Sequence, residues 1–291
     1  MKKSRAYIEA MEARSVEAIP DGSEWQYEPK WDGFRCLLTR NVDAVAMHSK
    51  SGQDLGRYFP EVAAAALTLR EKSFVLDGEL VVPVSGRFSF DNLLQRIHPA
   101  TSRIKKLSEQ TPALFLAFDL LRKGKSELAA APLRQRRIRL EDFAARCFPG
   151  ASLFRLSPAS LKLKDAERWL ASAGGGSDGV IAKRLDLPYQ AGNREGMQKI
   201  KRHRSADCVI GGFRYAENPQ GGRRSSDLCC SVFMTLRVCS ITWDFLRASR
   251  QRISRLLPLS SRLSVIIEAS REMPQAGRAD GPRNGRRSGS R

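Results

Sequence analysis

The run Phe74-Val75-Leu76-Asp77-Gly78-Glu79-Leu80-Val81-Val82 restricts the fold more than any other stretch of the chain. It is apolar on both sides, as strands covered on both faces are. Yet it carries two carboxylates, and buried acids need a cation, a metal or a strong donor beside them. The plainer alternative is a β-bulge or tight turn at Gly78 that leaves both acids in water. A strand this apolar makes that alternative uncomfortable.

Other runs repeat the theme. In Glu28-Pro29-Lys30-Trp31-Asp32-Gly33-Phe34-Arg35 an Asp-Gly turn leads into a strand over 34–38, and 42–48 alternates like its hairpin partner, with Val45 and Met47 on one face. A lysine is a useful nucleophile only once its proton can leave near neutral pH, and a neighbouring cation such as Arg35 favours that; a solvated charge cluster before a hairpin is the bland alternative. Residues 113–121 form another strand, apolar except for Asp119, in which Phe118 either joins the core or lines a pocket. At 177–184 an Asp-Gly turn again feeds a β-branched strand that ends in cations. In 197–202 alternation aims Lys199 and Lys201 at one face, which suits a polyphosphate or, equally, an edge strand guarded against aggregation.

Between these strands, helical spacing predicts a short helix over 7–13 and others from Pro60, over 90–97 and over 164–173. Residues 102–106 read as a basic loop. The helix over 132–144 is expected to turn Leu133, Leu140, Phe143 and Ala144 inward and Arg134, Arg136, Arg137 and Arg139 outward.

The net charge of +19 over 291 residues draws polyanions, and with no apolar run of membrane-spanning length or signal-peptide character the expected partner is nucleic acid in the cytosol, with no membrane. Six cysteines without a CxxC pair make neither a zinc pattern nor a disulfide framework, and they are expected to be reduced.

Together the segments offer a lysine nucleophile, further cations, carboxylates at strand ends suited to Mg²⁺, and an aromatic for a purine. That is the inventory for attack on a nucleotide phosphate, whose negative oxygens are the main obstacle to transfer. A Walker loop, a Gly-rich dinucleotide fingerprint and HExxH are all absent from the sequence.

The order Lys30-x-Asp32-Gly33-x-Arg35, Ser49-Lys50-x-Gly52, Asp77-Gly78-Glu79, Phe118-Asp119, Asp178-Gly179-Val180-Ile181-Ala182-Lys183 and Lys199-x-Lys201 resembles the motif series of the covalent nucleotidyltransferases. Within that superfamily, which spans ATP-dependent DNA ligases, RNA ligases and mRNA capping enzymes, the chain is most similar to the bacterial ATP-dependent DNA ligases of the ligase C type. The resemblance covers residues 25–215 and implies an α+β/α/β nucleotidyltransferase (adenylation) domain of antiparallel sheets flanked by helices. It also implies ATP and Mg²⁺ or Mn²⁺ as cofactors and nicked double-stranded DNA as partner, with a monomer sealing nicks in repair and recombination. Lys30 is the implied nucleophile, carrying AMP. Glu28 would contact the adenine amine and Phe118 would stack on the base. Arg35 and Lys50 would bind ribose or phosphate, and Glu79 and Asp178 would serve ribose and metal. Lys199 and Lys201 would neutralise the α-phosphate with Lys183 nearby, while Asp32, Gly33 and Asp77 support the site. Lys50 stands where Arg is frequent and Asp178 where Glu is usual. An RNA ligase, a capping-type guanylyltransferase and a binding module with dead chemistry are the rivals.

The family continues into an OB-fold, a small barrel that closes over ATP. Residues 206–215 look like its first strand; beyond Tyr215 the likeness ends, and Arg, Ser, Gly and Pro crowd in while Lys, Tyr and His vanish. The division expected is an adenylation domain at 1–204, a truncated OB start at 205–221 and a poorly ordered, non-homologous tail at 222–291. A natural Arg/Ser-rich tail that is drawn to DNA would explain that composition, and so would a shift of reading frame near Gly221, which we favour. A natural tail also predicts that 228–246 packs as strands.

Overall fold

The computed structural model describes residues 8–148, 150, 152–174 and 176–201, with the strands at 205–208 and 263–266. The chain divides into two units, Met1–Arg202 and His203–Arg291.

The first unit is built on two sheets. Strand β1 (Arg14–Ser15), β2 (Trp25–Trp31), β11 (Ser177–Arg184) and β12 (Met197–Lys201) form one, in the order β1-β12-β11-β2. The other runs β10 (Phe154–Leu156), β8 (Leu114–Lys123), β5 (Ser73–Val81), β3 (Phe34–Asn41), β4 (Ala44–Ser49), with β9 (Ser126–Glu127) attached to β8. Pairing is antiparallel, as expected, except at two outer strands, β1 on β12 and β10 on β8, which make the sheets mixed at their edges. A small hairpin, β6 (Pro83–Val84) and β7 (Arg87–Phe88), follows β5.

Helices α1 (Pro60–Thr68), α2 (Phe90–Leu94) and α4 (Leu133–Cys147) cover one face of the larger sheet, where Leu38, Met47, Val62, Phe74, Phe115 and Phe143 share a core. Helix α5 (Leu163–Ala171) covers the smaller sheet through Ala166, against Tyr27, Val180 and Ile200. A third cluster joins Leu37, Val75 and Leu121 of the larger sheet to Met197 and Ile181 of the smaller one, with Met11 and Tyr189. The two sheets therefore face each other, and the charged residues of the strands collect at that junction.

Both readings of 74–82 hold in part. The ladder between β5 and β8 shifts register between Asp77 and Gly78, so a bulge is present, but Asp77 has 0% exposure and Glu79 is part-buried. Of the two readings of 197–202, the edge strand is ruled out, because β1 covers β12 on its outer side.

Four expectations fail. Residues 8–13 are not helical; their backbone is drawn to a neighbouring loop, with Glu12 N–H donating to Asn193 O (2.8 Å) and Gly192 N–H to Ala10 O (3.3 Å). The basic loop at 102–106 lies inside helix α3 (Thr101–Gln110), anchored by the single buried residue Ile104. Ile97 falls outside α2, which ends at Leu94. Arg136 and Arg137 of α4 are buried rather than outward, because acceptors on other elements meet them. Cys36 and Cys147 are free and buried.

In the second unit β13 (Ser205–Cys208) pairs antiparallel with β14 (Leu263–Ile266), Ser205 opposite Ile266. Residues 209–221 and the 228–246 stretch lie outside the described residues.

Candidate active site

Strand β2 delivers two charges to the junction. Its first five residues are buried and its last two half-buried, so Glu28 sits inside while Lys30 reaches the opening. Gly33 follows at a point where a Cβ would run into the carbonyl oxygen of Leu80, which lets the turn after Lys30 lie directly on β5.

Across the ladder, Gly179 of β11 faces Lys30 and, on its other side, Lys201 of β12. The β2–β11 register slips between Ser177 and Gly179, leaving Asp178 as the extra residue. Its carboxylate bridges two strands, with Oδ1 2.6 Å from Lys30 Nζ and Oδ2 3.6 Å from Lys201 Nζ. Lys199 lies two residues before Lys201 on the same strand, opposite Ile181.

Deeper in, Lys183 Nζ donates to Glu28 Oε2 (2.7 Å) and Gln26 Nε2 to Glu28 Oε1 (2.8 Å), all three residues being buried. The Lys183 ammonium also lies 4.5 Å from the centroid of Phe118. The Arg35 guanidinium lies 4.5 Å from the same centroid. Phe118 is thus a 7% exposed aromatic in contact with two cations. Lys183, expected from the resemblance to lie near the α-phosphate lysines, is paired with Glu28 and lies against Phe118.

Arg35 is held by Asp77, with Nε donating to Oδ1 (2.5 Å) and Nη2 to Oδ2 (2.6 Å). Glu79 lies opposite Arg35 in the β3–β5 ladder. Loss of hydration pushes its carboxyl up to about 7, against the opposing pull of Arg35 and Lys30. Asp32 is tied by its backbone N–H to Gly176 O (2.9 Å).

Lys50 pairs with Glu12 (2.9 Å), which also takes Arg194 (2.8 Å) and is held below the usual carboxylate range, Lys50 being the largest cause.

For a divalent metal, the described residues hold no group of three or more His, Cys, Asp or Glu. Mg²⁺ is commonly held by one or two carboxylates with substrate phosphates completing its shell, and Glu79 and Asp178 fit that donor set. Several contributors carry no signal in the sequence: Gln26 holds Glu28, Tyr189 holds Asp77 (2.6 Å), and Arg136 forms a buried two-bond pair with Asp119, directly after Phe118. Tyr189 opens a stretch that reads only as a polar loop.

The profile of the ATP dependent DNA ligase domain matches residues 8–201. DNA ligase C2 of Mycolicibacterium smegmatis is 46% identical over 71% of this chain and 57% of its own length. DNA ligase C of Mycobacterium tuberculosis is 41% identical over 71% of this chain and 58% of its own. Among solved structures, a mycobacterial DNA ligase D complexed with ATP and MES superposes with a TM-score of 0.52 at 28% identity, over 71% of this chain and 64% of that one. The chain therefore spans a little over half the length of these curated ligase C relatives. Profile, relatives and fold agree over the first unit, and the chain belongs to the ATP-dependent DNA ligase domain family.

Proposed function

We propose that this chain carries the AMP-accepting half of an ATP-dependent DNA ligase, with Lys30 as the residue that is adenylated. The observation that carries the reading is the row of Lys30, Asp178 and Lys201 across three strands, on the same sheet as the buried Glu28–Lys183 pair whose lysine, with Arg35, lies against the buried Phe118. In the first step Lys30 Nζ attacks the α-phosphorus of ATP; a P–N bond forms, the α–β P–O bond breaks, and pyrophosphate leaves with the electron pair. Asp178 Oδ1, 2.6 Å away, accepts the proton the amine must lose. Lys201 and Lys199 offset charge on the α-phosphate. Mg²⁺ or Mn²⁺, held by Glu79 and Asp178, supplies Lewis-acid neutralisation of the phosphate oxygens when bound.

At the base end, the Glu28 carboxylate is an acceptor only, which suits the exocyclic amine of adenine and repels the carbonyl oxygen of guanine. Phe118 offers a ring to the purine. In the second step a 5′-phosphate oxygen at a nick attacks the lysyl-AMP phosphorus and releases Lys30. The 3′-hydroxyl then attacks the 5′-phosphorus, joins the strands and expels AMP. The partner is nicked duplex DNA, and the enzyme works as a monomer in the bacterial cytosol or nucleoid.

Incubation with α-labelled ATP tests the reading. We expect an acid-labile covalent label on the chain from ATP and not from GTP, lost in Lys30→Ala, and sealing of nicked DNA in preference to nicked RNA. Absence of label on the unmodified chain would overturn it.

A further inference from the structure

Asp77 is wholly buried, yet its carboxylate is fully engaged, by the two Arg35 bonds and by the Tyr189 hydroxyl, which donates to Oδ2 at 2.6 Å. The phenol oxygen in turn accepts the Met11 N–H at 2.9 Å. Burial and the adjacent Asp77 raise the phenol well above its ordinary range, so it remains a donor throughout the working pH range. Arg136, fixed by Asp119, lies over the Tyr189 ring, 5.8 Å from its centroid.

The grip of Asp77 on Arg35 is lateral. It uses Nε and Nη2, and Nη2 also approaches Met11 O at 3.4 Å. Among the described residues, Nη1 has no hydrogen-bond partner. The Arg35 side chain is 22% exposed and its guanidinium lies against Phe118, and Phe118, Tyr189, Asp77, Arg35 and Lys183 line one cavity. A two-bond carboxylate contact fixes the plane of a guanidinium, and so decides where its remaining amino group points.

We infer that Tyr189 is a positioning residue for nucleotide binding: through Asp77 it holds Arg35 so that Nη1 is presented to an acceptor oxygen of the sugar of a nucleotide lying on Phe118. The sugar is the part addressed because Arg35 stands at the base end of the site, whereas Lys30, Asp178 and Lys201 form its phosphate end. The inference rests on the adenylation reading above, and concerns how the same site holds its ligand.

The experiment is a double-mutant cycle on the full chain: unmodified, Tyr189→Phe, Arg35→Ala and the double variant, each followed for lysyl-AMP formation against ATP concentration. Tyr189→Phe keeps the ring and deletes only the hydroxyl. We expect it to raise KM for ATP about tenfold with a much smaller change in the rate at saturation, the signature of lost ground-state positioning. In the Arg35→Ala background the same substitution should change KM by less than about twofold, because the two residues act as one unit. ATP analogues lacking the 2′- or the 3′-hydroxyl provide a second readout: for the analogue that lacks the oxygen addressed, the Tyr189→Phe penalty should vanish. An unchanged KM in Tyr189→Phe, additive effects in the cycle, or equal penalties with all three nucleotides would each overturn the inference. Failure of the unmodified chain to self-label would instead remove the adenylation reading on which it rests.

Discussion

Glu79 is the side chain at which charge and burial conflict most openly. Burial raises its carboxyl to about 7 despite Arg35 and Lys30, so in the free enzyme it ionises late. Its pKa is higher folded than unfolded, so the native state binds the extra proton and Glu79 favours folding at low pH. That contribution is lost as pH rises from the usual carboxylate value to about 7. The metal role proposed for Glu79 needs the ionised form, so under that proposal function and stability oppose each other over this window. The rate of lysyl-AMP formation at low ATP should therefore rise with pH through a limb centred near 7, and Glu79→Gln should remove that limb along with most of the activity; an identical limb in the variant would exclude Glu79 as its source. Asp178 permits a different test. If it takes the proton of Lys30, Asp178→Ala should slow adenylation by roughly 100-fold or more while leaving the unfolding midpoint close to that of the unmodified chain, measured by label transfer and urea titration.

At the scale of elements, the strands were legible and the partners of their charges were not. Apolar runs with turn residues at their ends located β3, β5, β8 and β11, because burial on both faces leaves a direct mark on composition, whereas β2, with Gln26, Glu28, Pro29 and Lys30 among its seven residues, carries no such mark. The pairing of Lys30 with Asp178 left no such mark. It exists because β11 crosses back to lie beside β2 and slips register at Asp178, a long-range event set by tertiary packing. Helix α4 misled for the opposite reason: four arginines in a run of six read as a solvated face, yet Asp119 on β8 takes Arg136 inward and Ser157 O takes Arg137. Such pairing has an energetic consequence. Arg136→Met leaves Asp119 buried and unpaired, and should cost about 3–5 kcal/mol in chemical denaturation; adding Asp119→Asn should recover a good part of it. Recovery of nothing would mean that packing of the arginine stem, and not the charge pair, is what α4 contributes. On β11, a Cβ at Gly179 would strike the carbonyl oxygen of Ile200, so Gly179→Ala should displace β12 and with it Lys201 from Asp178, lowering both stability and adenylation.

For the whole molecule the division after Arg202 leaves the candidate site on one side and parts the excess charge almost equally. Among the described residues, the three apolar clusters and every candidate site residue lie in the first unit. The excess of +19 is shared: after Arg202 sixteen arginines stand against seven acids, so that +10 remains on residues 1–202. Polyanion binding is governed by how many phosphates are neutralised, and each one released from its counterions adds about 0.9 to the slope of log affinity against log salt. A chain ended at Arg202 should unfold in one cooperative transition and retain ATP-dependent self-labelling, since nothing in the described site is removed. Its affinity for nicked duplex should fall, and with it the steepness of the salt dependence, if the arginines beyond Arg202 meet phosphates. An unchanged slope would assign DNA contact to the first unit alone, where α3 turns Arg103, Lys105 and Lys106 to solvent. Charge reversal of those three residues in the shortened chain should then reduce the remaining salt slope without affecting label transfer from ATP, because none of them belongs to the proposed nucleotide site.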